Sequence, residues 1–495
     1  MGIKSVFAIP LAKQVQKRIY KWANQPEKTQ QKVFKTLIYQ AKKTVFGKDH
    51  HFEEIQSYDD FKKQVPVRDY EALKPYVAQI LEGKPDVLWK GFPLYFAKTS
   101  GTTSGAKYIP ITKASMPFHI KAAKNALLMY IAETGNAGFI EGKLIFLQGS
   151  PVIDKKNSIK TGRLSGIAAH YVPSYLQKNR MPSWETNCIE DWETKVDAIV
   201  EETITEDMTL ISGIPSWVQM YFEKLIAKKG KSVGEIFPNF NLFVYGGVNF
   251  EPYRNTFEKM IGRKVDSVEL FPASEGFFAF QDKQNEKGML LLLNGGIFYE
   301  FIKADEFFEE NPNRISVADV ELGVNYVLII STNAGLWAYN IGDTVEFTSL
   351  KPHRIIVTGR IKHFISAFGE HVIAKEVEHA LKDVMEHTDV SVNEFTVAPQ
   401  INPDQGLPYH EWFIEFEKAP ENIIEFSSKI DGFMQAQNSY YLDLIQGKIL
   451  KPLVVTVVET GGFKKYMKSI GKLGGQNKIP RLSNDRKIAD QLSPL

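Results

Sequence analysis

The 495-residue sequence contains a single cysteine, Cys188, and no long uninterrupted apolar run. One cysteine excludes an internal disulfide and a zinc site built from cysteines, and it suits a reducing compartment, so we expect a cytoplasmic protein. No window reaches the roughly 18 consecutive apolar residues that a transmembrane helix needs. The N-terminal apolar segment is short and contains Pro10, so it is not typical of a signal peptide either.

An excess of charge of either sign is also missing. Sixty Lys and Arg residues stand against 58 Asp and Glu, which leaves a formal net charge of +2 at pH 7. This balance creates no global field that would attract nucleic acid or an anionic membrane, so we expect neither as a partner. The length exceeds what one hydrophobic core usually holds, so two or three domains are expected.

A run of hydroxyl side chains and glycines stands between two apolar segments. It reads Thr99-Ser100-Gly101-Thr102-Thr103-Ser104-Gly105, and Lys107 follows shortly after. Hydroxyl side chains compete for backbone groups and glycine lets the chain bend, so the run predicts a tight polar loop able to hold phosphate oxygens. Tyr108 occupies the position where a Walker A loop needs Ser or Thr, which disfavours a P-loop NTPase. A plain Ser/Thr-rich surface turn is the alternative.

Helical and strand patterns alternate after this run. Apolar spacing predicts helices over 116–130, 184–200, 215–229 and 374–385, the second containing Cys188, and short apolar runs predict strands over 143–147 and 242–245. The alternation predicts an α/β architecture with mainly parallel sheets, in which ligands bind beyond the carboxyl ends of the strands.

Two turns follow predicted strand ends: Gly246-Gly247, and Ala273-Ser274-Glu275. Longer strand patterns begin near Gly288 and predict a β-rich subdomain, which includes a turn carrying Asp343. Glu275 and Asp343 could also be ordinary turn-closing residues.

A domain boundary is expected near Gly359-Arg360-Ile361-Lys362. The predicted division is therefore a large domain over 1–358 and a small α+β domain over 359–495. The small domain ends in a polar, basic loop that carries Lys478 and Arg481, and a solvated basic tail is the alternative interpretation of that loop.

Eight segments, taken in order, resemble the Gretchen Hagen acyl-acid amido synthetase family of the adenylate-forming (firefly-luciferase-like) superfamily. They are TVFGKDHHF, VPVRDYEALKPY, DVLWKGFPLYFAKTSGTTSGAKYIPIT, YGGVNFEPY, FPASEGFFAF, LWAYNIGDTVEFT, HEWFIEF and GGQNKIPR. The family is known for plant enzymes that conjugate auxin and jasmonate to amino acids, and it has similar proteins in bacteria. The resemblance implies a large N-terminal domain and a small mobile C-terminal domain.

The resemblance also implies roles for individual residues. The implied ATP-phosphate ligands are Thr99, Ser100, Gly101, Thr102, Thr103, Ser104, Gly105 and Lys107. The implied neighbours of the adenine and the acyl group are Gly246, Gly247, Ala273 and Ser274. Glu275 would be the Mg²⁺ ligand, and Asp343 would accept both ribose hydroxyls.

In the small domain, the resemblance implies that Lys478 and Arg481 bring positive charge to the phosphates, and that Arg360 and Lys362 form the hinge. Two positions depart from the family pattern. Asn340 replaces an Arg, and His363 replaces an acid.

The implied reaction uses ATP and Mg²⁺ to adenylate a small carboxylic acid, after which an amine, typically an amino acid, takes the acyl group. An acyl-CoA ligase and a non-catalytic acyl-acid or nucleotide-binding protein are the alternatives. The sequence does not fix which acid or which amine is used.

Overall fold

The computed structural model describes residues 3–99, 107–157, 159–172, 177–247, 250–361, 364–365, 372–401, 403, 405–446, 449–474, 478–483 and 485–492. They group into two compact units. Unit 1 comprises Met1–Asn249, Phe257–Ile341 and Val345–Ile356, and unit 2 comprises Phe250–Thr256, Gly342–Thr344 and Val357–Leu495. Spatial grouping does not test which segments fold alone or move, so the division into 1–358 and 359–495 stays a prediction.

Within the described residues up to Ile261, the α-helices are α1 (Ile3–Ala23), α2 (Pro26–Ala41), α3 (Val45–Asp49), α4 (Tyr58–Gln64), α5 (Tyr70–Leu81), α6 (Met116–Thr134), α7 (Leu164–Ala169), α8 (Trp184–Cys188), α9 (Trp192–Thr203), α10 (Pro215–Lys229), α11 (Val233–Ile236) and α12 (Glu251–Ile261). Among the helices within the described ranges, none has both the length and the apolar character that crossing a membrane requires.

A twelve-stranded sheet forms the centre of unit 1. Its strands are β3 (Lys143–Phe146), β6 (Arg180–Met181), β7 (Met208–Ser212), β8 (Leu242–Gly246), β9 (Asp266–Ala273), β10 (Gly276–Phe280), β11 (Met289–Leu291), β12 (Ile297–Lys303), β13 (Ile315–Ser316), β14 (Asn325–Thr332), β15 (Tyr339–Leu350) and β16 (His353–Arg360). The spatial order is β13-β12-β14-β15-β16-β11-β10-β9-β8-β7-β3-β6. The predicted β-rich stretch continues this sheet.

The strands at one end of the sheet, β6, β3, β7, β8 and β9, pair in parallel, whereas β9–β10–β11–β16 pair antiparallel. Parallel pairing brings the carboxyl ends of β3, β7, β8 and β9 to one edge. This confirms the predicted α/β architecture. A second sheet of unit 1 has the order β2-β1-β5-β4, with β1 (Tyr95–Thr99), β2 (Lys107–Ile111), β4 (Asp154–Lys156) and β5 (Ile159–Gly162).

Helices α1 and α6 pack with the parallel strands in one hydrophobic cluster. In α1 the buried positions Ala12, Val15, Ile19 and Ala23 recur at intervals of three and four, which places them on one face of the helix. Burying an aliphatic side chain completely contributes about 1.5–3 kcal/mol. The regularly spaced apolar residues of the sequence are therefore the ones that pack against the sheet and hold the helix on it.

The helix predicted over 184–200 is wrong in one respect, because two helices occupy it. Helix α8 ends at Cys188 and α9 begins at Trp192. The Asp191 side chain accepts a hydrogen bond of 2.9 Å from the Thr194 N–H, which caps α9 and starts a new helix there.

Unit 2 contains a three-stranded sheet with the order β19-β20-β21. Its regular elements after β16 are β17 (Phe364–Ile365), β18 (Val372–Ile373), α13 (Ala374–Glu386), β19 (Ser391–Gln400), β20 (Tyr409–Lys418), α14 (Ile423–Gln437), α15 (Ser439–Gln446), β21 (Val454–Val458) and α16 (Gly462–Ser469). β19 and β20 are antiparallel and β20 and β21 parallel. Residues of α13, α14 and the sheet share one core, which confirms the predicted α+β character of this region.

Candidate active site

The Ser/Thr/Gly run connects two paired strands. β1 and β2 are antiparallel, and their last pair is Thr99 with Lys107. Ser100 to Gly105 lie outside the described residues, as does the side chain of Thr99, so their predicted contacts with phosphate stay predictions. The Lys107 ammonium lies 5.8 Å from the centroid of the Tyr70 ring, and the Tyr70 hydroxyl accepts a 2.8 Å hydrogen bond from the Tyr108 N–H. Helix α5 therefore supports the base of this hairpin.

Gly246 and Gly247 end strand β8 at the carboxyl edge of the parallel strands. A Cβ atom on Gly246 would lie 2.4 Å from the Leu270 carbonyl oxygen of the neighbouring strand, a distance that no side chain permits. Gly247 has φ of +82°, in the region that glycine adopts without strain. Backbone geometry thus requires glycine at both positions, and it leaves main-chain groups uncovered by side chains at this edge.

The Ser274-Glu275 turn lies at the same edge. It joins β9 to β10, whose first pair is Ala273 with Gly276. β9 continues three residues past Leu270, the partner of Gly246, so at ~3.3 Å per residue the turn projects roughly 10 Å beyond that glycine. Ser274 is buried and Glu275 half-buried.

Glu275 is the predicted metal ligand at this edge. Within the described ranges, no group of three or more His, Cys, Asp or Glu side chains could hold a metal ion. Mg²⁺ is commonly held by one or two carboxylates with substrate phosphates and water as its other ligands. A single half-buried carboxylate fits that pattern, whereas a metal held by the protein alone would need a larger set.

In unit 2, Asp343 and Arg360 form an ion pair. The distance from Arg360 Nε to Asp343 Oδ1 is 2.9 Å, and the Asp343 side chain is 19% exposed against 50% for Arg360. Burial raises the pKa of Asp343 above its ordinary value, while the charges of Arg360 and Lys478 oppose that shift. The predicted hinge partner Lys362 lies outside the described residues, as does His363.

Lys478 belongs to the same cluster of charges. Loss of solvation lowers the pKa of Lys478 to about 8, Asp343 opposes the shift, and the positive charges of Arg360 and Arg481 add to it. More than a third of the residue surface is nevertheless exposed, so water screens this ammonium more than a fully enclosed one. The predicted catalytic lysine and the predicted ribose ligand are therefore close enough for their charges to influence each other.

Arg481 is mostly buried and fully engaged by unit 2. Its guanidinium contacts Glu394 and lies 3.3 Å from Glu378 Oε1, and it donates to the Phe395 carbonyl at 3.1 Å and to the Tyr253 hydroxyl at 3.2 Å. Burial alone would lower the pKa of Arg481, but Glu394, Tyr253 and Glu378 together raise it. The arginine is a permanent cation whose charge is already matched by two carboxylates.

The structure thus brings the predicted residues together in two groups. Gly246, Gly247, Ala273, Ser274 and Glu275 share one edge of the sheet in unit 1. Asp343, Arg360, Lys478 and Arg481 cluster in unit 2. Sequence reasoning missed Glu378 and Glu394, which lie far from Arg481 in sequence and outside the family-like segments. It also missed Tyr253, which ends the segment YGGVNFEPY but was given no role.

Solved structures of an acyl acid amido synthetase and of a CoA ligase share this fold. It matches the AtGH3.15 acyl acid amido synthetase in complex with 2,4-DB with a TM-score of 0.79 and 16% identity, over 97% of this chain and 95% of that one. It also matches 2-hydroxyisobutyryl-CoA ligase in the postadenylation state in complex with 2-HIB-AMP, with a TM-score of 0.63 and 13% identity, over 94% and 90% of the two chains.

Family models identify the chain more closely. Residues 15–148 and 143–265 match the GH3 family N-terminal domain, 290–360 the GH3 family central domain and 375–487 the GH3 family C-terminal domain. The chain therefore belongs to the GH3 family, which confirms the resemblance to the Gretchen Hagen family.

Two curated relatives are similar over most of their length. The indole-3-acetic acid-amido synthetase GH3.3 of Arabidopsis thaliana is 22% identical, over 91% of this chain and 88% of that protein. The jasmonoyl–L-amino acid synthetase JAR4 of Nicotiana attenuata is also 22% identical, over 85% of each.

Proposed function

We propose that this chain is an ATP-dependent acyl-acid amido synthetase. It joins a small carboxylic acid to AMP with release of pyrophosphate and then transfers the acyl group to an amine, typically that of an amino acid. The observation that carries the proposal is the cluster of Lys478, Asp343 and Arg360 in a chain that belongs to the GH3 family throughout. A reducing, cytoplasmic location is part of the proposal, supported by the single cysteine.

In the first step, a carboxylate oxygen of the acid attacks the α-phosphorus of ATP. The bond to the bridging oxygen breaks, and pyrophosphate leaves with the electron pair. No enzyme nucleophile is required, so the protein contributes positioning and stabilisation of developing negative charge. Lys478 supplies a positive charge for the phosphates, because an ammonium acts as a point charge for phosphate oxygens.

The remaining roles are those that the family resemblance implies, and the chemistry of the side chains agrees with them. The Asp343 carboxylate has two oxygens and can accept both ribose hydroxyls. The loop Thr99–Gly105 and Lys107 hold the phosphates, and the edge formed by Gly246, Gly247, Ala273 and Ser274 lets main chain approach the adenine and the acyl group. Glu275 would hold Mg²⁺ together with phosphate oxygens, and the ion would supply positive charge that offsets the charge of the phosphates.

In the second step, the neutral amine attacks the acyl carbon, the bond from that carbon to the AMP oxygen breaks, and AMP leaves with the electron pair. The amine loses its proton and an amide remains. We assign residues 1–358 to the binding of ATP and the acid. Residues 359–495 form the mobile domain that carries Lys478, with Arg360 and Lys362 at the hinge.

The test measures which substrates support pyrophosphate release and identifies the products that form. The purified chain is mixed with ATP, Mg²⁺ and a panel of aryl and fatty acids, alone, with mixed amino acids, and with CoA. Pyrophosphate release is measured, and the products are identified by mass spectrometry. We expect acid-dependent release that amino acids accelerate, together with a new N-acyl amino acid.

The other outcomes are equally informative. A thioester formed only with CoA would overturn the amide proposal in favour of an acyl-CoA ligase. ATP binding without pyrophosphate release from any acid of the panel would contradict adenylation of these acids and favour a non-catalytic nucleotide-binding protein.

A further inference from the structure

Arg481 is the centre of a buried polar cluster in unit 2. Its partners come from three separate elements: Glu378 from α13, Glu394 from β19 and Tyr253 from the first turn of α12. The guanidinium carbon also lies 4.6 Å from the centroid of the Phe395 ring, so the group is held both in its plane and on its face.

Arg481 differs from Lys478 in the charges that surround it. The side chains of Arg481, Glu378 and Glu394 are only 11%, 13% and 18% exposed. Because one guanidinium faces two carboxylates, these three side chains together carry no net positive charge that could attract a phosphate. A residue that binds phosphate directly would present its cation to the ligand, whereas this one presents it to two protein acids.

The backbone around Arg481 is attached to the sheet of unit 2. The Val397 N–H donates to the Arg481 carbonyl at 2.9 Å, and the Ser483 N–H donates to the Val397 carbonyl at 3.0 Å. Leu482 between them is fully buried. The segment 480–483 thus lies along the free edge of β19. Lys478 precedes Arg481 by three residues, so their Cα atoms are at most about 11 Å apart.

We propose that Arg481, Glu378, Glu394 and Tyr253 form a clamp whose task is to position Lys478, and that Arg481 is a positioning residue rather than a phosphate ligand. This role differs from the one that the family resemblance implies for Arg481. The inference rests on the proposed function for its catalytic consequence, but the clamp can also be tested without activity.

The first experiment removes the acids instead of the arginine. Glu394→Gln, Glu378→Gln, Arg481→Lys and Tyr253→Phe are compared by kcat and KM for ATP in acid-dependent pyrophosphate release. The control is Glu425→Gln, which removes an exposed acid that pairs with Lys429 on α14.

The clamp predicts that Glu394→Gln and Arg481→Lys lower kcat at least about tenfold and leave KM for ATP within about twofold, because Lys lacks the forked donors that reach several partners. Tyr253→Phe loses one hydrogen bond and should cause a smaller loss in the same direction.

A direct phosphate role predicts the opposite sign. Removing Glu394 would then free the arginine charge, so Glu394→Gln would keep kcat and lower KM for ATP, while Arg481→Lys would raise KM. That result overturns the proposal. The double variant Arg481→Lys/Glu394→Gln should lose no more activity than the more impaired of its two single variants, because residues that act as one unit are not additive.

The second experiment needs no substrate. Amide hydrogen exchange is followed at Val397 and Ser483, whose N–H groups bond along the edge of β19. We expect exchange to be at least about tenfold faster in Glu394→Gln and Arg481→Lys than in the parent chain and in Glu425→Gln. Unchanged exchange would overturn the clamp. If the parent chain releases no pyrophosphate with any acid, the proposed function fails, while this measurement still decides the clamp.

Discussion

The two groups of site residues are built in different ways. At the edge of the sheet in unit 1, Gly246 and Gly247 contribute backbone alone, and Glu275 supplies a carboxylate. In unit 2, the cluster around Lys478 consists almost entirely of charged side chains, which change the pKa values of Asp343, Lys478 and Arg481. The first region depends on where the backbone goes, and the second on how charges are balanced.

This difference determines how each region should respond to mutation. A backbone-defined site fails when a side chain is added, because the strands cannot separate to make room. A charge-defined site keeps its fold when an exposed group is neutralised and loses binding or rate instead. The predictions below test that contrast.

The largest effect on ATP binding should come from Asp343→Asn. The amide keeps the size of the carboxylate but loses its charge and one acceptor, and a hydrogen bond to a charged group contributes about 1.5–3 kcal/mol. We expect KM for ATP to rise roughly 10- to 100-fold with little change in the urea unfolding midpoint. Asp389→Asn, at an exposed acid paired with Lys418, is the control and should match the parent chain. An unchanged KM would show that Asp343 does not bind the ribose.

Gly246→Ala should act on stability instead. The new Cβ would lie 2.4 Å from the Leu270 carbonyl oxygen, and overpacking of this kind costs about 1–3 kcal/mol. Urea denaturation measures the loss. The matched change is Gly432→Ala inside α14, where an added Cβ has no atom within 4 Å, so it should stabilise by about 0.5–1 kcal/mol. Equal effects of the two substitutions would contradict the backbone account of this edge.

The pH dependence of the rate tests the environment of Lys478. Since the pKa of Lys478 is lowered to about 8, the ammonium is present below that pH and is lost as pH rises through it. We predict that kcat for pyrophosphate release falls about fivefold from pH 8 to pH 9, as the protonated fraction of Lys478 falls from about one half to about one tenth. In Lys478→Arg, which keeps its charge, any remaining rate should stay flat over that range. A parent rate that is flat to pH 10 would contradict the role of this ammonium.

Glu275→Gln should give the smallest effect. Because phosphate oxygens and water supply the other ligands of Mg²⁺, losing one carboxylate should raise the Mg²⁺ concentration needed for half-maximal rate by about tenfold, with saturating Mg²⁺ restoring most activity. Titration of Mg²⁺ at fixed ATP measures this. The control is Glu459→Gln, which changes an acid paired with Lys465 in unit 2. An unaltered Mg²⁺ requirement would remove Glu275 from the metal site.

Local patterns made much of the fold predictable. The helix predicted over 215–229 has those bounds in the structure, and the one predicted over 374–385 ends one residue later. Both segments have a clear sequence pattern, which is either a residue that favours a helix end or a set of apolar residues on one face of the helix. The helix over 184–200 was wrong because apolar spacing continues through a break that depends on one capping side chain, Asp191.

Sequence patterns located the candidate site residues but not the partners that hold them. Gly246-Gly247 and Glu275 stand at turns that follow strands, as predicted, whereas the turn predicted around Asp343 is wrong because Asp343 lies within strand β15. The roles of these residues were implied by the family resemblance. Glu378 and Glu394 lie on a helix and a strand whose patterns describe only packing, and their approach to Arg481 arises from tertiary structure. Contacts across 87 and 103 residues of chain leave no periodic signal.

The most direct test of the central claim is a single-turnover assay of acyl-adenylate formation with an acid that the parent chain accepts, comparing Lys478→Ala with Lys465→Ala. Lys465 is an exposed lysine of α16 that pairs with Glu459, so it controls for loss of a surface charge. If Lys478 stabilises the charge that develops on the phosphates, Lys478→Ala should slow adenylate formation at least about 100-fold, as removal of one stabilising donor commonly does, while Lys465→Ala matches the parent chain. Equal rates in the two variants would contradict adenylation that depends on Lys478.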